Sequence, residues 1–145
     1  MRSRMLLAGL VLAGTVAATA TGFAQTAYPD LKGTWVGPGQ SVTLGKTDQW
    51  PSAPGGKPVF REGSWTVIID EQQGNLLTGS QGLTDGGHRD TLLGVIRGDG
   101  KTILMVDDDG SFVTQLTGPD AMEMCRIEVT ADSRLVGCRQ LARQK

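Results

Sequence analysis

From Gly33 onward, apolar and polar residues alternate in short runs, and no long window repeats apolar residues at the i, i+3, i+4, i+7 spacing of a helix. Eight β-rich runs can be read in order: Gly33–Leu44, Ser64–Glu71, Asn75–Gln81, Asp90–Arg97, Thr102–Asp107, Ser111–Thr117, Ala121–Thr130 and Arg134–Gln140. Each is closed by a cluster of turn residues, the spacing expected of a sandwich or a barrel. Gly98-Asp-Gly-Lys101, Asp108-Asp-Gly-Ser111 and Gly118-Pro-Asp120 supply turn chemistry, including glycines where φ > 0 is needed. Links this short force consecutive strands to pair antiparallel. An eight-strand meander can close on itself, which removes both exposed edges. The expected fold is therefore all-β: an eight-stranded antiparallel up-and-down barrel. An immunoglobulin-like sandwich is the alternative, but it asks for longer crossovers and a cysteine pair that bridges two sheets.

The two cysteines test the register of the last hairpin. If the chain turns through Ala131-Asp132, Thr130 faces Ser133. Cys125 lies as far before Thr130 as Cys138 lies after Ser133, so the two face each other. A directly opposed, non-hydrogen-bonded pair is within disulfide reach. A hairpin inferred from turn residues thus predicts a Cys125–Cys138 bridge. CxxC and Cys/His zinc spacings are absent from the sequence.

An oxidising destination agrees with that bridge. Arg2 and Arg4 precede an uncharged stretch from Met5 to Ala20, and small residues lead to Gly22-Phe23-Ala24. That order reads as a signal peptide over residues 1–24, leaving 25–145 as a single domain in the periplasm or outside the cell. An uncleaved anchor is the alternative. After cleavage no membrane association is expected. The mature chain has about 121 residues, enough for one domain with a real core. Losing two arginines moves the formal charge from −1 to −3, and no basic block remains, so nucleic acid is not an expected partner.

The first strand opens with Leu31-Lys32-Gly33-Thr34-Trp35. This resembles the Gly-x-Trp opening of lipocalins and, with its Thr, the Gly-Thr-Trp opening of avidins. Both are eight-stranded barrels of the calycin type, and the small bacterial protease-inhibitor barrels are similar. The likeness covers three residues and draws its weight from their place at the start of the first strand. It implies that Trp35 sits at the closed end, stacked by a basic residue from the last strand, where Arg139 and Arg143 lie. That role would be structural. It does not extend to biotin, because an avidin-type site needs several later aromatics and only Phe112 follows Trp65.

Loops of a meander alternate between ends, so a candidate site can be localised. The end opposite Trp35 collects the two long loops, Gly45–Gly63 and Gly82–Arg89. The first is stiffened by Pro51, Pro54 and Pro58 and carries Trp50 and Phe60, which either cover the mouth or fold back on the rim. The second carries Asp85 and His88, the only histidine in the chain. Trp50, Phe60, Asp85 and His88 are the candidate ligand-binding residues. Carboxylates here and at Asp107–Asp109 are cation-type donors, yet no EF-hand or dedicated metal spacing is present, so neither metal nor cofactor is expected. No catalytic residue is assigned: a Ser-His-Asp site would hang on His88 alone, and Gly-x-Ser-x-Gly is missing. Glu123 and Arg126 form a possible inward polar pair. Finally, Leu92, Gly94 and Ile96 alternate with Leu93 and Val95, and Ile103 and Met105 with Leu104 and Val106, so both faces of this wall are apolar. An outer apolar face calls for a subunit or partner to cover it. The expected function is a non-enzymatic barrel binding a small molecule or a protein; a homo-oligomer, an inhibitor-like interaction module and a barrel enzyme are the alternatives.

Overall fold

A computed structural model describes residues 28–50 and 56–145. The signal-peptide reading and Pro51 and Pro54 lie outside the described residues. Eight strands follow one another: β1 Gly33–Gly45, β2 Val59–Gln73, β3 Leu76–Leu83, β4 Asp90–Ile96, β5 Thr102–Val106, β6 Gly110–Gly118, β7 Ala121–Val129 and β8 Ser133–Arg143. Each pairs antiparallel with its neighbour, and β1 pairs with β8, so the sheet is a closed barrel. This is the expected meander.

In β7 and β8, Val129 faces Arg134 and Cys125 faces Cys138, and the two cysteines are disulfide-bonded. The bridge lies on the outer wall. Two boundaries differ from the sequence expectation by three residues or more. β2 starts at Val59, because Val59 and Phe60 pair with Thr43 and Val42, so Phe60 belongs to a strand and not to the long loop. β8 runs on to Arg143, which faces Trp35 across the closing seam.

Alternation sorts the side chains into two unlike halves of one interior. The short-loop end is apolar: Leu31, Trp35, Ile69, Ile96, Ile103, Met122 and Leu141 are all buried there. Residues 28–32 stopper this end. Gln72 holds them by accepting from Leu31 N (2.8 Å) and donating to Pro29 O (2.9 Å), while Trp35 Nε1 donates to Leu31 O (2.9 Å). Arg143 completes the stopper. It stacks 4.4 Å from the Trp35 ring centre and donates to Asp30 O and Lys32 O at 2.7 and 2.8 Å. Arg139, the other basic candidate for Trp35, lies deeper along the same face of β8 and stacks on Trp65 instead, 3.8 Å from the ring centre. Gly39 makes that stack possible, since a Cβ there would come within 2.9 Å of Trp65 and 3.1 Å of Arg139.

The opposite half is polar. Gln81, Asp90, Thr114, Arg126, Glu128 and Arg139 are all buried. On β7 the inward residues are Met122, Met124, Arg126 and Glu128. Glu123 points outward, where its carboxylate accepts from Gln140, so the pairing of Glu123 with Arg126 is corrected: Arg126 meets Asp107, Asp109 and Glu128.

The disulfide closes a loop of sequence separation 13 on an already paired hairpin. Removing a cross-link of this span frees the unfolded chain by about 3 kcal/mol in the chain-entropy model. A C125S/C138S variant is expected to keep the β-type circular dichroism spectrum and to lose about 2–3 kcal/mol in urea denaturation. A loss well under 1 kcal/mol would mean that the bridge contributes little beyond what the hairpin supplies.

Candidate functional site

The mouth at the long-loop end is built around two amides and two guanidinium groups. Asp90 opens β4 with its side chain only 1% exposed. Its Oδ2 accepts from Gln81 Nε2 at 2.6 Å and from Gln49 Nε2 at 2.8 Å. Gln81, inward on β3, also donates to Asp107 Oδ2 at 2.9 Å, and its carbonyl accepts from Arg139 NH1 at 2.8 Å. Amide orientation is therefore set by its partners: the oxygen meets the arginine and the nitrogen joins two carboxylates.

Arg126 is the second hub. Its NH2 reaches Asp107 (3.4 Å), Asp109 and Glu128 (3.2 Å), and Ser133 donates its hydroxyl to Glu128. Both guanidinium groups lean on Phe112, at 5.4 Å for Arg126 and 5.3 Å for Arg139. The mouth thus holds Asp90, Asp107, Asp109 and Glu128 against Arg126 and Arg139, an excess of carboxylate. Burial is the main cause that pushes Asp107 from its ordinary 3.8 up to about 6; Asp109 and Asp90 raise it further, and Arg126 opposes them. Asp109 and Glu128 are raised too, again chiefly by burial. Arg139 is brought down to about 9 by burial first and then by Arg126.

Side chains fill the barrel at this level. Between Trp65, Arg126, Leu135 and Arg139 a void of about 10 Å³ remains, room for about one water molecule. Wider concavities among the described residues lie on the outside. A groove of about 490 Å³ runs over β4, β5 and β6 and is lined by Leu93, Val95, Leu104, Val106 and Val113. A second, of about 300 Å³, lies by Val42, Phe60, Glu62 and Val136.

The register sets these outer residues side by side in two runs that adjoin at Cys125 and Ile127 on β7. Leu93 faces Val106, Val95 faces Leu104, Leu104 faces Val113, and Val113 faces Cys125. Ile127 faces Val136, Val136 faces Val42, and Val42 faces Phe60. Leu93, Leu104, Val106, Val113, Ile127 and Val136 are between 44% and 57% exposed, and Val129 is 72% exposed.

Of the four candidate residues, two lie at the mouth, each with its own partners. Trp50 is half-buried, edge-on to Trp65 at 5.8 Å with Arg61 5.5 Å from its ring centre. A turn holds it there, Trp50 N donating to Thr47 O at 3.0 Å. His88 stands on the rim, 2.5 Å from Asp90 and 3.6 Å from Asp48. Asp85 is exposed in the β3–β4 turn and joins none of these contacts, and Phe60 projects from the outer wall, 83% exposed. Sequence reasoning misses Asp48, Gln49, Gln81 and Asp90 as members of the cluster. The one available signal is the inward alternation ending in Arg126 and Glu128, and it is masked because Cys125, Ile127 and Val129 on the other face are the more apolar set. Comparison of the chain with protein-family models, curated proteins and solved structures returns no match.

Acids held above their ordinary value keep protons in the folded state that the unfolded chain has already released. Stability from Asp107 is largest below about pH 4 and declines as pH rises through about 6. The midpoint of urea unfolding is therefore expected to be higher at about pH 5 than at about pH 8, with Asp107→Asn shrinking the difference. A difference of the opposite sign, or one untouched by Asp107→Asn, would contradict this account of the mouth.

Proposed function

We propose that this protein is a non-enzymatic binding barrel outside the cytoplasm that engages a protein partner with the apolar outer wall of β4 to β8. The observation that carries the reading is the set of exposed apolar residues from Leu93 to Val136, two facing runs that adjoin at Cys125 and Ile127 on β7. A water-facing wall of a barrel needs no apolar residues outside, and patches of this kind mark interaction surfaces. Because the barrel is closed, none of its eight strands has an edge open to an added strand, so a partner must be held by side-chain packing. Burying the exposed half of each Leu or Val is worth about 1 kcal/mol, and several together are enough for specific binding.

The filled interior around Trp65, Arg126 and Arg139 supports a partner on the wall over a small molecule enclosed in the barrel. Asp107 has the displaced acidity that a catalytic reading asks for, but its side chain is fully enclosed and its oxygens are taken by Gln81, Gly110 and Arg126. The signal-like N-terminus and the Cys125–Cys138 bridge support a place outside the cytoplasm. Closure through Trp35 and Arg143 supports a calycin-like kinship.

Photo-crosslinking separates the wall from the rest of the surface. A photoreactive residue at Leu104 or Ile127 is expected to trap a defined protein adduct in exporting cells, whereas the same residue at Lys32, exposed at the stoppered end, is expected to trap none. An L104K/V113K variant is expected to fold as the parent does and to weaken adduct formation by about tenfold or more. Equal trapping at Lys32 and Leu104, or no defined adduct at either wall position, would defeat the proposal.

A further inference from the structure

His88, Asp48 and Asp90 come from three separate places: the β3–β4 connection, the turn after β1 and the first residue of β4. One ligand atom from each lies within 4.8 Å of the other two. Around a tetrahedral ion with bonds of about 2.1 Å, neighbouring ligand atoms are about 3.4 Å apart. The Asp48–His88 separation of 3.6 Å already fits, and the His88–Asp90 separation of 2.5 Å needs to open by about 1 Å. Small rotations of the two rim side chains supply that, since His88 and Asp48 are 52% and 57% exposed.

Asp90 is the fixed member. Gln49 and Gln81 pin its Oδ2, and Arg139 in turn holds Gln81, so Oδ1 is left directed at His88. This is the outer support that orients a metal-binding carboxylate. A second observation is independent of the acids. Among the described residues Gln49 Oε1 is buried without a hydrogen-bond partner, although the nitrogen of the same amide is bonded to Asp90. An orphaned carbonyl oxygen, on an amide already bonded to the Asp90 carboxylate, calls for a positive or hydrogen-bonding partner.

We propose that Asp48, His88 and Asp90 form a binding site for a divalent transition-metal ion of the zinc type, with Gln49 Oε1 as a further oxygen donor. The donor set selects the class. Imidazole nitrogen with two carboxylates suits zinc or its first-row neighbours, whereas calcium and magnesium ask for oxygen alone and for more of it. Binding needs the neutral imidazole with its hydrogen on Nδ1, so that the Nε2 lone pair of His88 takes the metal. The site is separate from the outer wall, and its fate does not depend on the partner reading.

The test uses tag-free protein stripped with a chelator and titrated with zinc sulfate. Calorimetry and native mass are expected to show one ion per chain, and the imidazole nitrogen resonances of His88, the only histidine, are expected to shift with zinc. His88→Gln and Asp48→Asn are each expected to weaken binding by about tenfold or more, and the exposed Asp48→Asn is expected to leave the metal-free melting temperature unchanged. Calcium is expected to leave the His88 resonances in place. Absence of one-to-one zinc binding, zinc binding that persists in His88→Gln, or equal binding of calcium would overturn the site and leave His88 as an imidazole clamped between two carboxylates only.

Discussion

Pairing of β1 with β8 is the constraint on which the rest of the molecule depends. Once that seam closes, every strand has an inside and an outside, and a single alternation separates the two along the whole chain. The seam is fastened at both ends. Arg143 and Trp35 lock it at the stoppered end, and at the mouth Ser133 and Leu135 come beside Gly45 and Thr43. Close packing across it needs small residues: a Cβ on Gly37 would meet Gln140 O at 1.8 Å. With the seam open, Arg139 would be a charged residue on a sheet edge instead of a guanidinium sandwiched between Trp65 and Phe112.

Closure also produces an unusual division of polarity. In the apolar half the usual rule holds, with Trp35, Ile69 and Met122 inside. In the other half it is reversed, with Arg126, Glu128, Asp107 and Asp90 inside and Ile127, Val129 and Val136 outside. Enclosed charge is costly unless every group finds partners, and a broken member leaves an uncompensated neighbour. The network answers with amides that bridge, as Gln81 does between Arg139, Asp90 and Asp107, and with carboxyls that hold their protons more tightly than in water. The cost of that arrangement makes sense if the mouth handles charge and the wall handles apolar contact, two tasks on two surfaces of one small barrel.

Strand number, strand order and the Cys125–Cys138 pairing are legible in the amino-acid sequence, because turn residues and short links leave a meander few alternatives. The mouth is half legible. His88 and Trp50 stand out as the lone histidine and a loop tryptophan. Asp48, Gln49 and Gln81 do not, since ordinary polar residues acquire meaning only from what the fold sets beside them. Phe60 is misplaced for a local reason: the proline-rich stretch reads as loop throughout, while pairing of Val59 and Phe60 with β1 extends β2 into it.

What the chain by itself determined is the set of local preferences: where strands run, where they turn, and which thiols face each other across a tight hairpin. Those follow from period-two patterning and backbone sterics, which act between near neighbours. Which face of β7 is inner was decided by the tertiary structure alone. Both faces carry apolar residues, and only the completed ring, by placing Arg126 among carboxylates from β7 and the β5–β6 turn, makes the polar face the one to bury.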